Sequence, residues 1–220
     1  MASWFDRIFY QVCRLPLHLG MTMGFSFRYE GGRNIPTTGP ALLLANHESF
    51  LDPPLVGLTT TRPLHYLARK TLFVPGFGRL IRALNAVPVD QDGVAKEGLK
   101  TVIQLLREGK AVVVFPEGER SLTGELGELK PGIQLIIKKT LAPIIPVGIV
   151  GAYDALPRGR GWPHLSPLFM PRCRGTIAVS VGEPREARRY ADMPREQMLT
   201  ELHAAIQAMK DRAARIRRKV

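Results

Sequence analysis

Cysteine is nearly absent from this chain of 220 residues, and the two present, Cys13 and Cys173, are too few to frame a fold with disulfides. Nothing around either has the spacing of a zinc-ligand set, so a reducing compartment is the default reading. Also missing is a run of about 20 apolar residues, the length that spans a bilayer. The apolar stretch over 15–27 is broken by His18, Gly20, Thr22, Gly24 and Ser26, and the N-terminus lacks the form of a signal peptide. Acidic residues are scarce: 19 Asp+Glu against 31 Lys+Arg leave a formal charge of +12. Such an excess favours anionic partners, whether lipid headgroups, phosphorylated metabolites or nucleic acid. No internal repeat, glycine-rich phosphate loop ending in Lys-Ser/Thr, or G-x-S-x-G nucleophile elbow is present.

With 45% hydrophobic and 23% charged residues, the chain suits one globular domain with a sizeable core. Short apolar runs bounded by glycine or proline read as strands over 41–45, 64–68, 86–90, 111–115, 144–150 and 176–181. Helical patterns fall between them: 53–60, 76–84, 94–109 and 131–139. Strand and helix alternating at this spacing predict an α/β fold, a single domain whose mostly parallel or mixed central sheet is flanked by helices. Prolines at 88 and 146 mark an edge strand or a bulge. The connection over 151–175 carries Trp162, Leu168 and Phe169 and is long for a compact domain, which marks it as functional or mobile.

Two amphipathic segments flank this body. Trp4, Phe5, Ile8, Phe9, Val12 and Leu15 recur at helical spacing, with Asp6, Arg7, Gln11 and Arg14 between them. That helix either lies in a membrane interface or packs on its own domain. Near the other end, Leu199, Leu202, Ile206, Met209, Ala213 and Ile216 form one stripe, beside Lys210, Arg212, Arg215, Arg217, Arg218 and Lys219. The expected organisation is a membrane-interface helical segment over 1–27, an α/β domain over 28–190 and a basic amphipathic helix over 191–220.

Reactive residues sit where two strands end. The strand over 41–45 runs into Asn46-His47-Glu48-Ser49-Phe50-Leu51-Asp52-Pro53. Ligands of open α/β sheets bind outside the carboxyl ends of strands. A neutral imidazole there can take a proton from a hydroxyl, and a carboxylate on its other nitrogen fixes the tautomer. On a regular helix, residues five apart point about 140° from each other, so His47 and Asp52 meet only if the chain turns between them. The alternative is that Asp52 caps the helix that begins at Pro53. A zinc-protease reading fails, because Leu51 stands where the second histidine of H-E-x-x-H belongs. The strand over 111–115 leads into Pro116-Glu117-Gly118-Glu119-Arg120-Ser121. There Gly118 permits close backbone approach and Arg120 can grip a phosphate bidentately, or Glu117 pairs with Arg120 in a plain turn.

Taken in order, these stretches resemble the glycerolipid acyltransferases of the 1-acylglycerol-3-phosphate acyltransferase (PlsC-like) family. Asn46-His47-x4-Asp52 matches the first family motif, Phe115-Pro116-Glu117-Gly118-Glu119-Arg120-Ser121 the third, and Ile144-Ile145-Pro146-Val147 the fourth. Ala86-Val87-Pro88-Val89-Asp90 stands where the second belongs. In that second motif a usual glycine is Asn85 and a usual arginine is Gln91; in the third, a common threonine is Glu119. The resemblance implies acyl transfer without a covalent enzyme intermediate and without a cofactor or metal. His47 would be the base and Asp52 its orienter; Glu117, Gly118 and Arg120 would hold the acceptor, with Lys70 (beside Arg69) as a further cation. It also implies a lysophospholipid acceptor, an acyl-CoA or acyl-carrier-protein donor and no nucleic acid. The alternatives are a different lyso-lipid acceptor, or a non-catalytic basic membrane- or nucleic-acid-binding protein on the same fold.

The expected location is the cytoplasmic face of the cell membrane, peripheral or monotopic, held partly by charge. Basic residues near an anionic surface contribute about 1 kcal/mol each and are screened within a Debye length. Binding to anionic vesicles should therefore weaken as salt is raised; equal binding to neutral and anionic vesicles at every salt concentration would refute this.

Overall fold

The apolar runs form a seven-stranded sheet around which the rest of the chain is layered. In the computed structural model, which describes residues 4–89, 94–159, 161–170 and 174–218, the strands are β1 (Arg28–Glu30), β2 (Ala41–Ala45), β3 (Leu64–Arg69), β4 (Ala86–Val89), β5 (Ala111–Val114), β6 (Ile144–Val150) and β7 (Ala178–Val181). Their order is β1-β7-β6-β2-β5-β3-β4. The five strands from β6 to β4 run parallel, while β7 is antiparallel to β6 and β1 is parallel to β7. Every residue of β2 is buried, as expected of a central parallel strand covered on both faces.

The helices are α1 (Trp4–Phe25), α2 (Asp52–Leu58), α3 (Phe77–Ala83), α4 (Val94–Arg107), α5 (Gly132–Thr140), α6 (Ala152–Ala155), α7 (Ala187–Ala191) and α8 (Arg195–Ile216). One face of β2, carrying Leu43, packs with Leu55 and Val56 of α2 and with Phe25 at the end of α1. The other face, Leu42 and Leu44, packs with Ile136 and Ile137 of α5, Leu106 of α4 and Ile206 of α8. Neighbouring strands β2 and β5 thus send the chain to helices on opposite faces. That geometry opens a crevice at their carboxyl ends.

Several boundaries refine the sequence reading. α1 is one helix continuing through Pro16. Its inner side, with Leu17, Met21 and Phe25, belongs to the core, while Val12, Leu15, Leu19 and Met23 stay exposed. The helix thus packs on its own domain through its inner face, one of the two alternatives that the pattern left open, and leaves an apolar outer face exposed. Among the described residues no helix is long and apolar enough to cross a membrane. The side chains of Trp4, Phe5, Asp6, Arg7 and Ile8, and residues Asp90, Gln91, Cys173 and Lys219, lie outside what is described. Helix α7, which the apolar pattern did not signal, buries Tyr190 against the second face.

Pro88 lies in edge strand β4, as expected. Pro146 lies inside the sheet, where the ladder slips by one residue between the Ile144–Arg185 bridge and the Val147–Val181 pair, so a bulge accommodates its missing N–H. The connection after β6 is tied down: the amides of Ser166 and Leu168 donate to the carbonyls of Gly24 and Met23. From the end of α8, Arg218 donates to the carbonyls of Leu168 (2.9 Å) and Met170 (3.1 Å). Arg217 pairs with Asp154 at 2.9 Å. Exposed Trp162 and Phe169 project from this strapped segment.

Helix α8 crosses β6 at Gly148, where an added Cβ would stand 2.1 Å from the Lys210 nitrogen and the Met209 carbonyl carbon. Both neighbours are backbone, so no rotamer change relieves the clash. Gly148→Ala should cost about 3 kcal/mol or more in urea unfolding. Gly20→Ala on α1, with nothing within 4 Å of the new methyl, should instead gain about 0.5–1 kcal/mol. Equal midpoints for the two variants would contradict this packing.

Candidate active site

Strand β2 ends its backbone pairing with β6 at Ala45–Val147, and the Asn46 side chain carries the ladder one step further. Its Oδ1 accepts from the Ile149 amide at 2.7 Å and its Nδ2 donates to the Ile149 carbonyl at 2.9 Å. The backbone, released from the sheet, turns outward at His47. It is then drawn around a single acceptor, Oδ2 of Asp52, which receives the amides of Glu48 (2.6 Å) and Ser49 (2.7 Å) and lies 2.7 Å from His47 Nδ1. Asp52 is fully buried. It is the first residue of α2 and not its cap; Leu51 holds the capping position and makes no side-chain cap. The helix-capping reading of Asp52 is therefore replaced: the carboxylate faces back into the loop, and the turn that the spacing required is built on it.

With Nδ1 donating to Asp52, Nε2 of His47 carries the lone pair. The half-buried ring stacks on Phe115, centroids 4.1 Å apart and planes 18° apart. Stacking on one side and hydrogen bonding on one edge leave Nε2 as the working nitrogen, placed to accept a hydroxyl proton.

The loop after β5 clamps the same histidine through its backbone. Glu117 Oε1 accepts the His47 amide at 2.7 Å and Oε2 accepts the Gly127 amide at 2.8 Å, while the Ser121 amide donates to the His47 carbonyl at 2.7 Å. Glu117 is buried, which pushes its carboxyl pKa up against the lowering effect of the two amides and of nearby His47 and Lys210. Both its oxygens are engaged by backbone, and it pairs with the His47 amide, not with Arg120. Gly118 has φ +79°, the left-handed region that glycine fills without strain.

Arg120 lies with its guanidinium 3.6 Å above the ring of exposed Phe50, a cation–π contact. Its Nη1 is buried without a hydrogen-bond partner among the described residues. Burial lowers its pKa most, followed by the repulsion of Arg158 and Arg69, with Asp52 opposing them. Three arginines thus converge beside the dyad, and exposed Lys70 follows Arg69 at the head of a short 3-10 turn. Of the sequence-predicted site residues, His47, Asp52, Glu117 and Arg120 come together here, with Gly118 in the same loop and Lys70 at the rim near Arg69.

The departures in the motifs find physical explanations where they are described. Asn85 has φ +65°; asparagine is the residue that best replaces glycine in that region. Glu119 pairs with Arg158 at 3.1 Å, both exposed. Beneath the dyad is a group that the motifs did not single out: buried Glu48 accepts from Asn46 Nδ2 (3.2 Å) and the Tyr153 amide (3.1 Å) and pairs with Lys210 at 3.3 Å. Burial pushes its carboxyl up to about 7, with Lys210 the main opposing influence. Its place inside the first motif was the available signal; Lys210, on the last helix, had none.

A buried carboxylate holding an imidazole whose other ring nitrogen has no partner among the described residues, at the carboxyl edge of a mixed sheet and beside clustered arginines, makes an α/β enzyme site suited to general-base chemistry. The chain belongs to the Acyltransferase family, whose profile matches residues 26–150. It is 27% identical over 199 residues to the 1-acyl-sn-glycerol-3-phosphate acyltransferase of Bacillus subtilis (strain 168), covering 90% of this chain and 92% of that one. It is 35% identical over 120 residues to the probable 1-acyl-sn-glycerol-3-phosphate acyltransferase of Mycoplasma genitalium, covering 51% and 45% respectively. The crystal structure of the 1-acyl-sn-glycerophosphate (LPA) acyltransferase PlsC from Thermotoga maritima matches with a TM-score of 0.76 at 26% identity, over 98% of this chain and 83% of that one.

Asp52→Asn separates orientation by charge from simple bonding. An asparagine oxygen can still accept the Glu48 and Ser49 amides, so the variant should fold, but its neutral amide stabilises an imidazolium poorly. We expect kcat to fall by about 10²–10⁴, with near-UV circular dichroism unchanged. Near-normal turnover would remove Asp52 from the chemistry.

Proposed function

We propose that this acyltransferase moves a fatty acyl group from a thioester donor, acyl-CoA or acyl-carrier protein, to the free hydroxyl of 1-acylglycerol-3-phosphate, forming phosphatidic acid. The observation that carries the proposal is the His47–Asp52 pair with Nε2 open, set next to Arg120. The acceptor hydroxyl gives its proton to His47 Nε2 as its oxygen attacks the thioester carbonyl. Collapse of the tetrahedral intermediate breaks the C–S bond, and the leaving thiolate takes the proton back from the imidazolium. No covalent enzyme intermediate and no metal or cofactor enters. Holding both substrates in one crevice provides the entropic share of the rate.

Arg120 binds the acceptor phosphate, with Arg69 and Lys70 adding positive charge at the rim. The unpartnered Nη1 of Arg120 supports this assignment, since a buried donor without an acceptor is costly until one arrives. Glu117 acts one step back, holding the His47 amide, and Gly118 allows the loop its turn. Substrates and product are membrane lipids, and the exposed apolar face of α1 supports work from the membrane surface, on its cytoplasmic side. The names of the Bacillus and Thermotoga relatives support the acceptor. Gln91, in place of the arginine that closes the second motif, favours a second reading in which the lyso-lipid headgroup is smaller or zwitterionic.

The deciding experiment is a set of Michaelis constants for lysophosphatidic acid and for an uncharged lyso-lipid, in wild type and Arg120→Ala. A lost charge-assisted contact of about 1.5–3 kcal/mol raises KM roughly 10- to 150-fold, and we expect that for lysophosphatidic acid alone. Unchanged lysophosphatidic acid kinetics would overturn the assignment of Arg120.

A further inference from the structure

Lys210 is a cation in a place where cations are rarely found. It is 7% exposed, belongs to α8 and lies outside the residues 26–150 that the family profile covers. It can reach the site only because α8 lies directly on β6, where Gly148 offers no Cβ to hold the helix off. Its ammonium touches both loops that bear the reactive residues. On one side it pairs with Glu48 at 3.3 Å, and the Glu48 amide is one of the donors that orient Asp52. On the other it donates to the Gly124 carbonyl at 2.8 Å; the Gly124 amide donates to Ser121 Oγ at 3.0 Å, and the Ser121 amide holds the His47 carbonyl. The contacts close a ring: His47, Glu48, Lys210, Gly124, Ser121 and back to His47.

We propose that Lys210 is a positioning residue for acyl transfer, a tether from the last helix that sets the first-motif and third-motif loops against each other and so aligns His47 with Asp52. Neither loop is in regular structure, and each is joined to the sheet at one end only. A single buried donor bridging both fixes their separation more firmly than the direct loop-to-loop bonds alone. A purely stabilising role would require only that Glu48 not be left charged and unpaired. The two roles differ in what happens when Glu48 and Lys210 are neutralised together.

The test compares wild type, Lys210→Met, the double variant Glu48→Gln/Lys210→Met and, for assignment, His47→Ala. Two readouts are taken: steady-state kinetics with lysophosphatidic acid and acyl-CoA, and the downfield proton NMR resonance of the His47 Nδ1–H bonded to Asp52, identified by its absence in His47→Ala. Lys210→Met should lower the melting temperature, and the double variant should recover it, since no buried charge is left unpaired. In both, kcat should fall by about 10- to 100-fold, as for a slight misplacement of reacting groups, with Michaelis constants within threefold of wild type. In both, the resonance should broaden or move upfield. A double variant with wild-type resonance and wild-type kcat would overturn the proposal, leaving Lys210 as the counterion of Glu48 only. Failure of both variants to fold would also overturn it, by assigning Lys210 to stability. The kinetic readout rests on the acyl-transfer reading above, and the spectroscopic one does not. A wild type that shows the resonance yet acylates no lyso-acceptor would therefore count against that reading and leave the alignment test standing.

Discussion

A buried carboxylate must be surrounded by donors, and that requirement shapes the centre of this protein. Asp52 has no exposed surface, so removing it from water is tolerable only with hydrogen bonds to replace the lost hydration. Two come from backbone amides within the loop that precedes it, and the third comes from the imidazole. All three converge on Oδ2, while Oδ1 is buried without a hydrogen-bond partner among the described residues; bonding Oδ2 folds residues 47–52 into one defined turn, and the orientation of His47 follows from it. The helix behind begins at Asp52 and continues through Pro53 and Pro54, whose lack of N–H groups is harmless in a first turn.

The second loop is built by the same rule applied to Glu117. Its two oxygens satisfy one amide in each of two segments, so a side chain that resembles a substrate ligand in the motif is also a brace for the histidine. Beneath both loops the third buried carboxylate, Glu48, is met by Lys210. Three buried acids, each compensated differently, thus surround one imidazole. Such networks are costly when incomplete and specify geometry when complete.

Much of the positive charge has internal partners. Arg212 pairs with Glu30, Arg217 with Asp154, and Arg218 holds the carbonyls of the long connection, so the basic run of α8 is in large part a set of straps. Arg120 instead lies close enough to Arg69 and Arg158 for their charges to act on it. The net charge of +12 is therefore divided between holding the fold and presenting a local field.

The amino-acid sequence by itself determined the class of fold and the position of the candidate site residues along the chain. Continuous apolar runs such as 111–114 form strands wherever a sheet is covered on both faces, and glycine or proline often marks where they end. His47 and Arg120, each just beyond such a run, were therefore legible as residues at a sheet edge, and the order of the motifs was enough to identify the family. Only the tertiary structure decided what depends on pairing between distant segments. Strand order places β5 beside β2, and this brings the loop of Arg120 against that of His47. The direction of the Asp52 carboxylate, the engagement of Glu117 by two amides and the arrival of Lys210 from α8 follow from the same placement. A side chain's partners across the fold leave no periodic trace along the chain, because burial fixes which face a residue turns inward but not which charge will meet it there.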